Sequence, residues 1–111
     1  MCTDKRSKIP EDLIFAQELQ KARDYSSSRK LYKDFFDNNP DHYLRFKALF
    51  EVADNWYHQK NYEFAQKAFL KFIEYCNSQI NLTEQENDWI KYYKRLAISR
   101  INSIICDKKS R

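Results

Sequence analysis

Apolar residues recur along this chain at three- and four-residue spacing, the period of helices that each bury one face. From about Pro10 to Arg23 the buried stripe is Leu13, Phe15, Ala16 and Leu19. Pro10 tolerates the first helical turn, and Glu11 and Asp12 suit the positive end of the helix dipole. Asp24 predicts the N-cap of a second helix, with Leu31, Tyr32, Phe35 and Phe36 inward and Asn38-Asn39-Pro40 as its stop. Asp41 predicts the cap of a third helix presenting Leu44, Leu49, Val52, Ala53 and Trp56. Asn61 caps a fourth, packed through Phe64, Ala65, Ala68, Phe69, Phe72 and Ile73. After a polar connection, Thr83-Glu84-Gln85-Glu86 reads as a capping box, in which hydroxyl and carboxylate each satisfy a backbone donor. A fifth helix then follows with Trp89, Ile90, Tyr93, Leu96, Ala97, Ile101 and Ile104 on one face.

The pattern occurs twice, 37 residues apart. Phe15-Ala16, Leu19, Asp24-Tyr25, Ser28, Tyr32 and Phe35-Phe36 return as Val52-Ala53, Trp56, Asn61-Tyr62, Ala65, Phe69 and Phe72-Ile73. Repetition at this length belongs to helical-repeat arrays, which hold other proteins more often than they catalyse reactions. The expected organisation is a tether over residues 1–9, one helical domain over 10–106 and a basic tail over 107–111.

Composition sharpens this reading. The 111 residues include 42% hydrophobic side chains, enough to fill a core in one domain. The chain has no Gly, which disfavours tight hairpins, phosphate-binding loops and dinucleotide folds, all of which need Gly where the backbone turns or approaches a ligand. No stretch approaches the roughly 18 uninterrupted apolar residues of a membrane-spanning helix. The net charge of +4 lies in the two ends, Lys5, Arg6 and Lys8 against Asp4, and Lys108, Lys109 and Arg111 against Asp107. Residues 9–106 balance 14 basic against 14 acidic side chains, unlike the concentrated positive face of a nucleic-acid reader, so no nucleic acid is expected.

The repeated positions resemble those of the tetratricopeptide repeat: a bulky then a small residue, a large residue three later, a turn with Tyr, a small residue, then aromatics. Val52-Ala53, Trp56, Asn61-Tyr62, Ala65 and Phe69 match it well, whereas Ser28 stands where Ala is usual and Pro40 has no counterpart at Asn77. The resemblance implies an all-α, tetratricopeptide-like α-solenoid of two helix pairs plus a C-terminal capping helix. Phe35-Phe36 and Phe72-Ile73, closing units of this length, are also similar to the N-terminal part of the BamD family, lipoproteins of the outer-membrane β-barrel assembly machinery. That family has about five repeats, so contacts made by its C-terminal half are not carried over. Cys2 followed by a short polar tether resembles an acylated lipoprotein start. The narrower resemblance therefore implies lipid anchoring at Cys2, a periplasmic location, and β-barrel assembly subunits or outer-membrane clients as partners. The alternative is a cytoplasmic adaptor that binds one partner peptide.

In tetratricopeptide folds the first helix of each pair lines a concave groove. Counted from the repeat positions, the groove here comprises Leu13, Gln17, Gln20 and Lys21, then Lys47, Phe50, Asp54, Tyr57 and His58. Lys91, Lys94, Arg95 and Ile98 would extend it, and aromatic and polar groups so mixed suit an extended peptide. A Lys-and-Asn clamp for a peptide carboxylate is not expected, because Leu13, Gln17 and Glu51 occupy its positions. Trp89, Tyr92 and Arg95 form a second candidate surface on the last helix. His42 and His58 lack partners at metal-ligand spacing, so neither a metal, a cofactor nor a catalytic Cys76–His58 pair is expected. Cys76 and Cys106 read as buried thiols, or as a disulfide in an oxidising compartment.

Overall fold

The computed structural model describes residues 9–109. Its five helices are α1 (Glu11–Lys21), α2 (Tyr25–Asn38), α3 (Arg45–His58), α4 (Tyr62–Ser78) and α5 (Glu84–Lys109). Each packs on the next in the chain, and α5 also lies against α3. The all-helical architecture is as expected.

The local signals place the helix ends with one exception. Asp24 accepts the Ser27 amide at 3.3 Å and Asn61 the Phe64 amide at 3.5 Å. Thr83 and Glu86 close their capping box reciprocally, each through a 3.0 Å bond to the other's backbone N–H. The exception is Asp41. Helix α3 starts at Arg45, and the turn before it is organised by His42, whose Nδ1 accepts the Leu44 amide at 3.0 Å. Arg45 donates to the His42 carbonyl at 3.0 Å, so the turn after Pro40 needs more residues than a cap at Asp41 allows.

The repeat reaches the backbone. Arg23 and Lys60, 37 residues apart, both adopt φ 67, the left-handed region that non-Gly residues enter at a cost. The bonds around them repeat at the same offset: Arg23 N–H to Gln20 O and Lys60 N–H to Tyr57 O, both 3.0 Å, then Asp24 N–H to Leu19 O at 2.9 Å and Asn61 N–H to Trp56 O at 3.0 Å. Close approach within each pair rests on small residues. Ala16 faces Ser28, and Ala53 and Ala65 recur at the equivalent sites, all fully buried. Ser28, which departs from the usual Ala, donates to Ala16 O at 2.7 Å and accepts from Asn55 Nδ2 at 3.2 Å, tying α1, α2 and α3 together.

Two hydrophobic clusters result. One joins Leu13, Ala16, Tyr32, Phe35, Leu44 and Ala48; the other centres on Phe46, Phe50, Phe69, Phe72 and Tyr93. Trp89 packs against both. Each buried Phe contributes about 1.5–3 kcal/mol relative to exposure. Two expected core residues lie outside. Phe15 is 58% exposed, because its counterpart Val52 is covered by the preceding pair whereas no helix among the described residues precedes α1. Phe64 is 48% exposed and meets Trp56 edge-on at 4.9 Å.

Candidate functional site

Three elements converge on one cleft. Helix α1 supplies Leu13 and Gln17, the start of α3 supplies Lys47 with Tyr43 and Leu44 just ahead of it, and α5 supplies Gln85, Trp89 and Tyr93. The cleft encloses about 280 Å³, with Ile9 at its lip. The α5 residues are spaced at i, i+4 and i+8, which puts them on one helical stripe. Trp89 and Tyr93 stack with centroids 5.4 Å apart and planes 7° apart, giving the cleft a flat aromatic wall.

Its polar groups are held in place. Lys47 pairs with Glu51 at 2.9 Å, and Gln20 donates to the same carboxylate at 3.2 Å. The Lys47 ammonium also lies 6.0 Å from the ring centroids of both Tyr32 and Tyr93. Beneath this group the Tyr32 hydroxyl is fully buried and has no hydrogen-bond partner among the described residues. Burial, then the charge of Glu51 and the neighbouring Tyr93, pushes its ionisation far above the ordinary phenol range.

The position of α5 is fixed by a buried ion pair. Arg45 at the start of α3 meets Glu86 at the start of α5, with side chains 8% and 10% exposed. Arg45 also donates to the Tyr75 hydroxyl at 3.0 Å. Burial alone would raise the Glu86 carboxyl, but the Thr83 amide and the Arg45 guanidinium outweigh it and hold it below the usual carboxylate range. The same pairing keeps Arg45 charged despite its burial.

Of the residues the sequence placed in a groove, Leu13, Gln17 and Lys47 line this cleft, and Trp89 of the expected terminal surface joins them. Lys21 lies elsewhere, exposed beside Glu18 at 3.7 Å. Phe50 is a core residue at 2% exposure and offers no surface to a partner. Asp54 and Tyr57 meet α5 instead, and His58 bonds Asp54 and stacks on Tyr25 of α2. Asp54 is 5% exposed, held by Arg100 Nε at 2.8 Å and His58 at 3.0 Å. The Tyr57 hydroxyl and Ser103 share a 3.2 Å hydrogen bond. The long α5 thus covers the C-terminal half of α3, which the groove expectation had left open. Tyr92 and Arg95 are exposed, and Tyr92 borders a shallow depression beside Trp89.

Sequence reasoning missed Tyr43, Gln85 and Tyr93 as cleft residues. The i, i+4, i+8 spacing of Gln85, Trp89 and Tyr93 was the signal for two of them, whereas Tyr43 sits in an irregular turn. Cys2 lies outside the described residues. Cys76 is buried, which pushes its thiol up to about 12, and His58 bonds Asp54. Cys106 is exposed rather than buried, about 18 Å along α5 from Lys94, which bonds Asn77 beside Cys76; the two thiols are free. Among the described residues no group of three His, Cys, Asp or Glu could hold a metal, and no helix is long and apolar enough to cross a membrane.

Fold and site together define an all-helical protein with an aromatic cleft between three helices. No protein-family model matches the chain, and neither a curated protein nor a solved structure is significantly similar to it.

Proposed function

We propose that this chain is a non-catalytic, tetratricopeptide-like scaffold that binds a partner peptide in the cleft between α1, α3 and α5. The observation that carries the reading is the convergence of the first helix of each pair, together with α5, on that cleft. The turn repeated at Arg23 and Lys60 supports the repeat architecture. Chemically, Trp89 and Tyr93 supply a flat apolar anchor site. The Gln17 and Gln85 amides, each both donor and acceptor, suit the backbone of an extended segment. Lys47 is pre-positioned by Glu51, so little side-chain entropy is lost when a partner docks against it.

Selection of 12-residue peptides from a random display library, followed by titration with Trp fluorescence, tests this. Trp89→Ala and Gln17→Ala should weaken selected peptides at least tenfold, while His58→Ala, outside the cleft, should leave them unchanged. Equal affinity for the Trp89→Ala chain would remove the cleft as the binding site. The narrower role, lipid-anchored assembly of outer-membrane β-barrels, rests on the resemblance and on Cys2. Mass spectrometry of the N-terminal peptide from native material tests it: an acylated Cys2 supports anchoring, and a free thiol behind Met1 favours the adaptor.

A further inference from the structure

The internal repeat shows one face twice, once covered and once bare. In the second pair, Val52 and Trp56 are half-buried: Val52 packs against the cluster that contains Tyr32 and Phe35 of α2, and the Arg29 guanidinium of α2 lies 3.5 Å over the Trp56 ring. Their counterparts in the first pair are Phe15 and Leu19. Phe15 is 58% exposed and its neighbour Ile14 48%. With Leu31 of α2, Phe15 and Leu19 wall an open cleft of about 310 Å³, which Ser27 and the Lys30–Asp34 ion pair complete on the α2 side. The covered copy therefore specifies what the bare one accepts, namely a helix that brings apolar side chains and a guanidinium. The rim adds a charge preference on its α1 side, where Glu11 and Asp12 are exposed and Glu18 pairs with Lys21, while Lys30 and Asp34 of α2 pair with each other.

A helix with those properties lies at the other end of the same chain. Helix α5 presents Lys91, Arg95, Ile98 and Ile105 along one outward stripe with Tyr92 at its flank. Lys91 and Arg95 are exposed, as are Tyr92 at 56%, Ile98 at 47% and Ile105 at 37%. We propose that the bare face of α1 and α2 receives the outer face of α5 from a second copy of this chain, so that copies associate head to tail. Apolar residues meet apolar residues, Arg95 takes the role that Arg29 has at the inner junction, and Lys91 and Arg95, C-terminal to Glu84 and Asp88 on the same stripe, meet the acidic side of the α1 rim. Different patches on the two partners make the contact heterologous, so it leaves one bare face at each end of any assembly and extends rather than closing at a dimer. This surface is separate from the peptide cleft.

Sedimentation velocity over a concentration series decides it, using the wild-type chain, Phe15→Glu and Arg95→Glu. Both positions are exposed, so circular dichroism should show unchanged helix content. Wild type should gain mass with concentration, more weakly at high ionic strength, and each variant alone should remain monomeric. An equimolar mixture of the two variants should form a dimer and stop there, since each retains one intact face. A wild type that stays monomeric to about 1 mM, a single variant that still assembles, or a mixture that stays monomeric would each overturn the proposal.

Discussion

Replacing Arg45 with Met tests the joint that sets α5 on the fold and thereby builds the aromatic wall of the cleft. With side chains only 8% and 10% exposed, the Arg45–Glu86 pair is poorly screened by water. Removing the guanidinium strands the Glu86 carboxylate, which keeps only the Thr83 amide and hydroxyl. The Tyr75 hydroxyl loses its donor as well. One-sided disruption of a buried pair costs about 3–5 kcal/mol, and the surviving Thr83 bonds put this case near the lower end, about 3 kcal/mol. At about 4 °C per kcal/mol for a chain of this size, Tm should fall by about 12 °C. Urea unfolding followed by circular dichroism on Arg45→Met, Glu86→Gln and the double variant gives the cycle, with an expected coupling of about 2 kcal/mol. The lowered Glu86 pKa adds a pH signature. Its stabilisation is present above the unfolded value of about 4.5 and is lost as pH falls through the folded value, so Glu86→Gln should flatten the acid limb. A cost below about 1 kcal/mol for Arg45→Met, the range of exposed pairs, or a cycle with no coupling would refute this account of the joint.

Three further outcomes follow from the fold. Arg23→Gly and Lys60→Gly relieve side chains held at φ 67, and each should raise unfolding free energy by about 0.5–1 kcal/mol in urea, the backbone relief exceeding the entropy that Gly adds to the unfolded chain. Ala65→Leu forces bulk into the fully buried contact between α3 and α4, and thermal melts should show a loss of about 1–3 kcal/mol. His42 accepts the Leu44 amide through Nδ1, and burial and then Arg45 lower its pKa. Its contribution is therefore present above about pH 6.5 and lost as pH falls through the folded value, a slope that His42→Asn should abolish.

Much of this architecture is readable residue by residue. Asp24, Asn61 and the Thr83–Glu86 box act on backbone groups three residues away, so the chain itself carries them. The family-like positions carry the close contacts as well, and Ser28 keeps its place because Asn55 and the Ala16 carbonyl both use its hydroxyl. What failed depended on neighbours. Phe15 and Val52 occupy the same repeat position, yet among the described residues a helix pair covers Val52 and none covers Phe15. Phe50 looked like a groove residue until Phe69, Phe72 and Tyr93 closed around it. Asp41 looked like a cap, but the ring nitrogen of His42 reached the Leu44 amide instead.

The sequence by itself determined five helices, the caps at Asp24, Asn61 and Thr83–Glu86 and a turn used twice, because these depend on residues within one helical turn of one another. The tertiary structure decided which faces remain open. Contacts such as Arg45 with Glu86 and Asp54 with Arg100 join residues 41 and 46 positions apart, and they draw α5 across α3. That crossing buries half of the face the periodicity marked as a groove and leaves the aromatic cleft at its other end. Periodicity records that a helix has an apolar side; only packing determines what covers it.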